Sequence, residues 1–250
     1  MSSNRIQLSQ ETLLTSIGDD WPPEQVQAAL DLLANSSGKF PSGVRKLPPD
    51  LIRAIQRERL IVAMLKAAAE LGYLGTNVQD VIDRAGVSRP TFYEHFSNKE
   101  DCFLAAFDTS AERLRKKVDA AARQGGEVWR DRIRFGLQAL LRFASREPET
   151  ARTMIVEARA ASTAAVRRRV ELMDEFARCL QAEAEELLPK QPSPSAMTAS
   201  GIVGGVESVL YSRLCRQEFD QLEALLPSLM HFVVLPYEGH RAADEAFAVN

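Results

Sequence analysis

The sequence has almost nothing that builds a β-sheet. It contains no Asn-Gly hairpin turn and no sustained alternation of apolar and polar residues, so a sandwich or barrel is excluded. Cysteine is scarce: Cys102, Cys179 and Cys215 are odd in number and far apart, which argues against a disulfide framework or a zinc site and for a reducing cytoplasm. The three thiols are expected as small apolar core residues, with a thiol sensor as the alternative. Histidine is limited to His95, His231 and His240, none within a nucleophile motif. GIVGG at 201–205 lacks the lysine and the preceding strand of a phosphate-binding loop; small residues for close helix packing are the better reading. No apolar run reaches the roughly 20 residues that cross a bilayer, and MSSNRIQLSQETLL lacks the pattern of a secretory signal. No catalytic residue, metal ligand or cofactor is therefore assigned, and no membrane association is expected; the chain reads as a cytoplasmic protein that is not an enzyme.

What remains is helix. Long Ala/Leu/Glu/Arg segments with apolar residues three and four apart predict an all-α fold. Residues 1–44 read as an appendage with a short amphipathic helix near Pro23, and Lys39 to Pro49 as a linker or arm carrying Arg45 and Lys46. From Asp50 the stripe Leu51, Ile55, Val62, Leu65 and Leu71 predicts a helix broken off at Gly72. Further helices are expected at about 127–146, 148–160, 163–188, 196–217 and 219–235, with PKQPSPS at 189–195 as a break. Net charge is −3 overall, yet residues 45–117 carry 13 Lys+Arg against 10 Asp+Glu. The surplus falls on the most structured motif in the chain.

That motif is "GVSRPTFYEHFSNKED", residues 86–101. Two helices of about eight residues flank Ala85-Gly86-Val87, and neither is long enough to stand alone. The first starts at Asn77, an N-cap type with Asp80 three residues on; the second starts at Ser88, where Pro90 is tolerated because the first turn needs no internal N–H donors. Ser97 to Glu100 reads as a capping box for a longer helix with Phe103, Phe107 and Leu114 on one side. Gly86 suits a turn with positive φ, as in a helix-turn-helix. Val78, Val81, Ile82, Val87, Phe92 and Phe96 supply the crossing. Arg89, Thr91, Tyr93 and His95 are left outside, an arrangement that suits a major groove.

"TNVQDVIDRAGVSRPTFYEHFSNKEDCF", Thr76 to Phe103, resembles the DNA-binding segment of the TetR (tetracycline repressor) family of bacterial transcriptional regulators, and the preceding helix ending in ELGYLG is similar to that family's first helix. The resemblance covers roughly residues 50–105. It implies a helix-turn-helix DNA-binding domain followed by a helical-bundle domain that binds a small-molecule effector and dimerises. Carried onto matching positions, Ser88, Arg89, Pro90 and Thr91 face bases or nearby backbone, while Tyr93, His95 and Lys99 hold phosphates, with Asn77 assisting. Arg45 and Lys46 are either a basic arm for the minor groove or a solvated linker. Asn77 departs from the Thr or Ser of many members, and the 44-residue extension is a second departure.

The domains expected are 1–44 extension, 45–105 DNA-binding, 106–240 effector-binding and dimerisation, and 241–250 tail. The last two long helices, with Ile202, Val206, Val209 and Leu210, then Leu222, Leu225, Leu229 and Phe232, are expected to form a four-helix dimer interface; closing the monomer core is the alternative. Trp129, Phe135, Phe143, Met154, Met173, Phe176 and Tyr211 are candidate effector-pocket walls, with Arg152, Glu157 or Arg159 as a polar anchor. The expected function is a homodimeric repressor on a palindromic double-stranded DNA operator, released when an effector favours a tilt of the helix that follows Ser97. The alternative is a regulator controlled by a protein partner docking on residues 1–44.

Overall fold

A computed structural model describes residues 48–188 and 194–248, together with Pro22 and Gln27. The appendage, Arg45, Lys46 and most of the 189–195 break lie outside the described residues. Among the described residues every regular element is helical. The helices are α1 Pro49–Gly75, α2 Val78–Ala85, α3 Arg89–His95, α4 Lys99–Ala122, α5 Trp129–Arg146, α6 Pro148–Arg152, α7 Ala158–Ala161, α8 Thr163–Leu187, α9 Ala196–Cys215 and α10 Leu226–Ala248. The chain divides into two compact units, Met1–Thr109 and Ser110–Asn250, with the boundary inside α4.

In the first unit α1 starts with Pro49 in its first turn and ends past a kink at Gly72, whose φ of 73° is open to a residue without Cβ. Leu51, Ile55, Leu60, Ile61 and Met64 are its buried stripe. Leu71, read from sequence as part of that stripe, is 46% exposed, because it leads directly into the kink. Val81, Ile82, Phe92, Phe96, Phe103 and Phe107 complete this core. Tyr73 meets Phe103 edge-on at 4.7 Å.

α4 begins one residue later than the sequence suggested. Its cap is Asn98, whose side-chain oxygen accepts from Asp101 N at 2.9 Å, while Asp101 Oδ2 accepts from Ser97 N at 2.9 Å. With Lys99 as the first helical residue, only Asn98 stands at the capping position.

The second unit is built on Trp129, Leu141, Leu210, Leu214, Met230, Val233, Val234 and Tyr237. The 148–160 helix is present, but a π-helical turn at Thr153–Glu157 divides it: Ala158 N reaches back five residues to Thr153 O. Two short 3-10 turns occupy 219–225, and α10 starts only at Leu226. It then continues past Pro236 and a kink at Gly239 (φ 81°) to Ala248. Residues 241–248 of the segment read as a tail are therefore helical, with Ala243 and Ala246 buried. The kink folds it back: His231 Nε2 lies 3.4 Å from Asp244 Oδ1, residues that a straight helix would hold about 20 Å apart. Arg130 joins Glu238 and Glu245, and Arg134 donates to Ala246 O at 2.8 Å.

Cys102 is buried, and burial pushes its thiol well above the usual range. Cys179 and Cys215 are exposed rather than in the core, because they fall on the outer phase of α8 and α9. Gly205 does permit a close approach, since a Cβ there would stand 2.8 Å from the Phe232 ring; Gly201 and Gly204 face open space.

Candidate nucleic-acid interface

The turn between α2 and α3 is fixed from three directions. Asn77 caps α2 reciprocally with Asp80: Asp80 N donates to Asn77 Oδ1 at 3.1 Å, and Asn77 N donates to Asp80 Oδ2 at 2.8 Å. Gly86 closes α2 in the left-handed region, φ 66° and ψ 34°, with its N–H on Ile82 O. From α1, the buried Arg59 donates through Nε to Ala85 O at 2.6 Å. Arg84 joins Glu70 at 2.6 Å, tying α2 to α1 again.

On α3, Ser88 Oγ accepts from Thr91 N at 3.2 Å and lies 2.8 Å from Thr91 Oγ1. Phe92 is fully buried and Phe96 nearly so, which turns Arg89, Pro90 and Tyr93 outward; all three are exposed. The helix thus presents an arginine and a tyrosine on one side of a firmly packed base. Thr91 is half-buried, with its hydroxyl engaged by Ser88.

His95 is half-buried, with Nε2 3.4 Å from Gln56 Oε1. Burial, then Arg53, hold its pKa below the ordinary value; Glu94 opposes and Arg57 adds to the depression. The folded environment therefore favours the neutral ring, an N–H donor, over the cation. Lys99 is engaged within its own unit. Its Nζ donates to Tyr73 O at 3.0 Å and Thr76 O at 2.8 Å, and sits 4.2 Å over the Tyr73 ring. A cation beside the first turn of α4 is poorly placed for that helix, but the carbonyl end of α1 stabilises it.

Arg53 and Arg57 were not singled out from the sequence. Arg53 Nη2 approaches Glu94 O at 3.5 Å, and Arg57 lies 5.2 Å over the Phe96 ring. Their spacing of four on α1 was visible, but any wet helix face shows that spacing.

The candidate effector residues do not converge on one place. Phe135 and Phe143 line a cavity of about 330 Å³ between α4 and α5, whose charged lining residues are Lys117, Arg142, Arg146 and Glu147. Trp129 is buried against Tyr237 at 4.9 Å, and Met154 is buried in the π turn. Arg159 lies 4.1 Å over the Tyr211 ring and pairs with Glu207. Met173 and Phe176 are partly buried on α8. The stripe assigned to dimerisation is also mostly spent within the chain: Ile202, Val206, Leu210, Leu222 and Leu229 are core, while Val209 and Phe232 remain exposed. Five of those side chains face inward because α9 and α10 cover the rest of their own unit.

Among the described residues no group of three His, Cys, Asp or Glu could hold a metal ion, and no helix is long and apolar enough to cross a membrane.

Residues 60–106 match the sequence profile of the bacterial regulatory proteins of the tetR family. The chain is 30% identical over 111 residues to the HTH-type transcriptional activator FasR of Mycolicibacterium smegmatis, covering 44% of this chain and 50% of that protein. It is 32% identical over 93 residues to the HTH-type transcriptional repressor KstR of the same organism, covering 37% and 45%. The chain thus spans about half the length of the curated relatives it matches. The transcriptional regulator FadR of Bacillus subtilis, solved in complex with stearoyl-CoA, superposes with a TM-score of 0.61 at 18% identity, over 73% of this chain and 98% of that one. Residues 60–106 thus form a segment similar to that of the tetR regulators, in a chain whose described regular elements are all helical.

Proposed function

We propose that this protein is a sequence-specific DNA-binding transcriptional regulator, acting as a homodimeric repressor that a small-molecule effector releases from a palindromic operator. The observation that carries the reading is α3: Phe92 and Phe96 anchor it, and Arg89, Pro90 and Tyr93 stand exposed on a helix capped by Ser88. An exposed arginine at the start of such a helix can bind guanine O6 and N7 together. Two copies would place their recognition helices in successive major grooves, roughly 34–36 Å apart. Self-association is supported by the exposed apolar side chains Met197, Val209 and Phe232, beside the open Gly201 and Gly204.

The cavity bearing Phe135 and Phe143 supports the effector reading. Its lining carries Lys117, Arg142 and Arg146 against one carboxylate, Glu147, which already pairs with Arg113. That balance suits a molecule with an anionic group and an apolar part, and FadR's stearoyl-CoA makes acyl-CoA thioesters the first compounds to try. Repression is the expected sign, as for KstR, although FasR is an activator. Selection from a random duplex library should enrich a palindrome, and a reporter promoter bearing it should be silenced. Failure to enrich any duplex would remove the DNA-binding reading; activation would reverse its sign.

A further inference from the structure

Among the described residues most guanidinium groups have carboxylate partners. In the second unit Arg113 meets Glu147 at 2.8 Å, Arg115 meets Glu175 at 2.9 Å and Arg132 meets Glu183 at 3.4 Å. In the first unit Arg59 is buried on a carbonyl and Arg84 pairs with Glu70. The other described arginines of that unit, Arg53, Arg57 and Arg89, differ from these five. All three are exposed, and among the described residues none has a carboxylate in ion-pair range. One of the three is the residue assigned above to base contacts.

The other two are held in place. Arg53 points its Nη2 at Glu94 O, at the carbonyl end of α3, where a helix attracts cations. One turn along α1, Arg57 is held over the Phe96 ring. Between them Gln56 meets His95, the last residue of α3. Both guanidinium charges reach His95, since each disfavours its protonation. Two positioned, unneutralised guanidinium groups beside a neutral imidazole make an anion site with several fixed donors. The protein as a whole carries a net charge of −3, so a general basic surface does not account for them.

We infer that Arg53 and Arg57 form a second phosphate-binding pair, which extends the DNA contact from the recognition helix onto α1. This rests on the DNA-binding reading above. The pair touches the backbone of the duplex and carries no sequence information. It fixes how far α3 enters the groove, because α1 and the end of α3 are anchored to one strand together.

The test measures anisotropy of the selected duplex and of a scrambled duplex across a salt series, for the full chain and for Arg53→Gln, Arg57→Gln and the double variant. Each single substitution should weaken both duplexes by the same factor and flatten the slope of log affinity against log salt by roughly 0.9 for each phosphate no longer neutralised. The double variant should flatten it by about twice as much. Arg53→Lys and Arg57→Lys keep the charge and should retain the slope, which separates phosphate binding from damage to the fold. An unchanged slope in the double glutamine variant overturns the inference while leaving DNA binding intact. Weakening confined to the selected duplex also overturns it, by making the pair base readers. A wild-type chain that binds no duplex removes the underlying reading instead.

Discussion

Arg59 of α1 donates to the carbonyl oxygen of Ala85, the last residue of α2, at 2.6 Å, with both residues buried. That one bond occupies an orphan carbonyl at the end of a helix too short to be stable alone, directly before the turn at Gly86. Burial lowers the arginine's pKa from its ordinary value, and a guanidinium keeps its proton in proteins. Arg59→Leu should therefore destabilise the chain by about 1.5–3 kcal/mol, the worth of a buried hydrogen bond to a charged group. Urea denaturation followed by circular dichroism reads this. A midpoint equal to that of the wild type would show that the turn is held by Gly86 and Asn77 without Arg59.

Arg89 is the side chain on which base specificity is expected to rest. Arg89→Ala should cost about 1–3 kcal/mol on the selected duplex and relax the preference at one position per half-site. Equal weakening on scrambled DNA would reassign it to a phosphate.

Lys99 spends two N–H groups on the Tyr73 and Thr76 carbonyls, so its first effect is on the fold. Lys99→Met should lower the melting temperature, because it removes both carbonyl contacts and leaves Tyr73 O with the Thr76 N–H. The salt slope should fall by at most roughly 0.9 per half-site, through whatever the third donor reaches. Unchanged melting would make the carbonyl contacts dispensable.

His95 gives a pH signature. The folded state holds the imidazole below the ordinary value of 6.5, chiefly by burial and the Arg53 charge. The unfolded chain therefore takes up the proton more readily. The associated stability is complete above about pH 6.5 and is lost as pH falls from there through the folded pKa. A histidine NMR titration should place the His95 midpoint below 6.5, and Arg53→Gln should raise it. A free-protein midpoint at or above the ordinary value contradicts the burial argument.

At the crossing of α9 and α10, a Cβ on Gly205 would stand 2.8 Å from the end of the Phe232 ring. Gly205→Ala should swing that ring outward and weaken self-association in sedimentation equilibrium, while the melting temperature changes little, because the ring is 43% exposed and free to move. An unaltered association constant would place the dimer contact elsewhere.

The local elements of the helix-turn-helix unit were legible in the amino-acid order. Asn77 with Asp80, the Ser88 cap, Gly86 at positive φ and the buried Phe92 and Phe96 could all be read there. Each depends on residues no more than four apart, and the physics of caps, turns and helical faces is local. The all-helical class was equally legible, through the lack of strand patterns. Which stripes face inward was not, because packing settles it. Ile202 and Leu229 obey the same 3.6-residue period as Val209 and Phe232, yet the first pair is core and the second is exposed; periodicity does not say which neighbour covers a face. The fold-back at Gly239 likewise needed long-range partners, Asp244 for His231 and Glu245 for Arg130. The charges of Arg53, Arg57 and Lys99 were plain in the sequence, but not what each one meets. A ring or a carbonyl comes within reach only when α1 packs against the helix-turn-helix, which brings together residues from 23 to 41 positions apart.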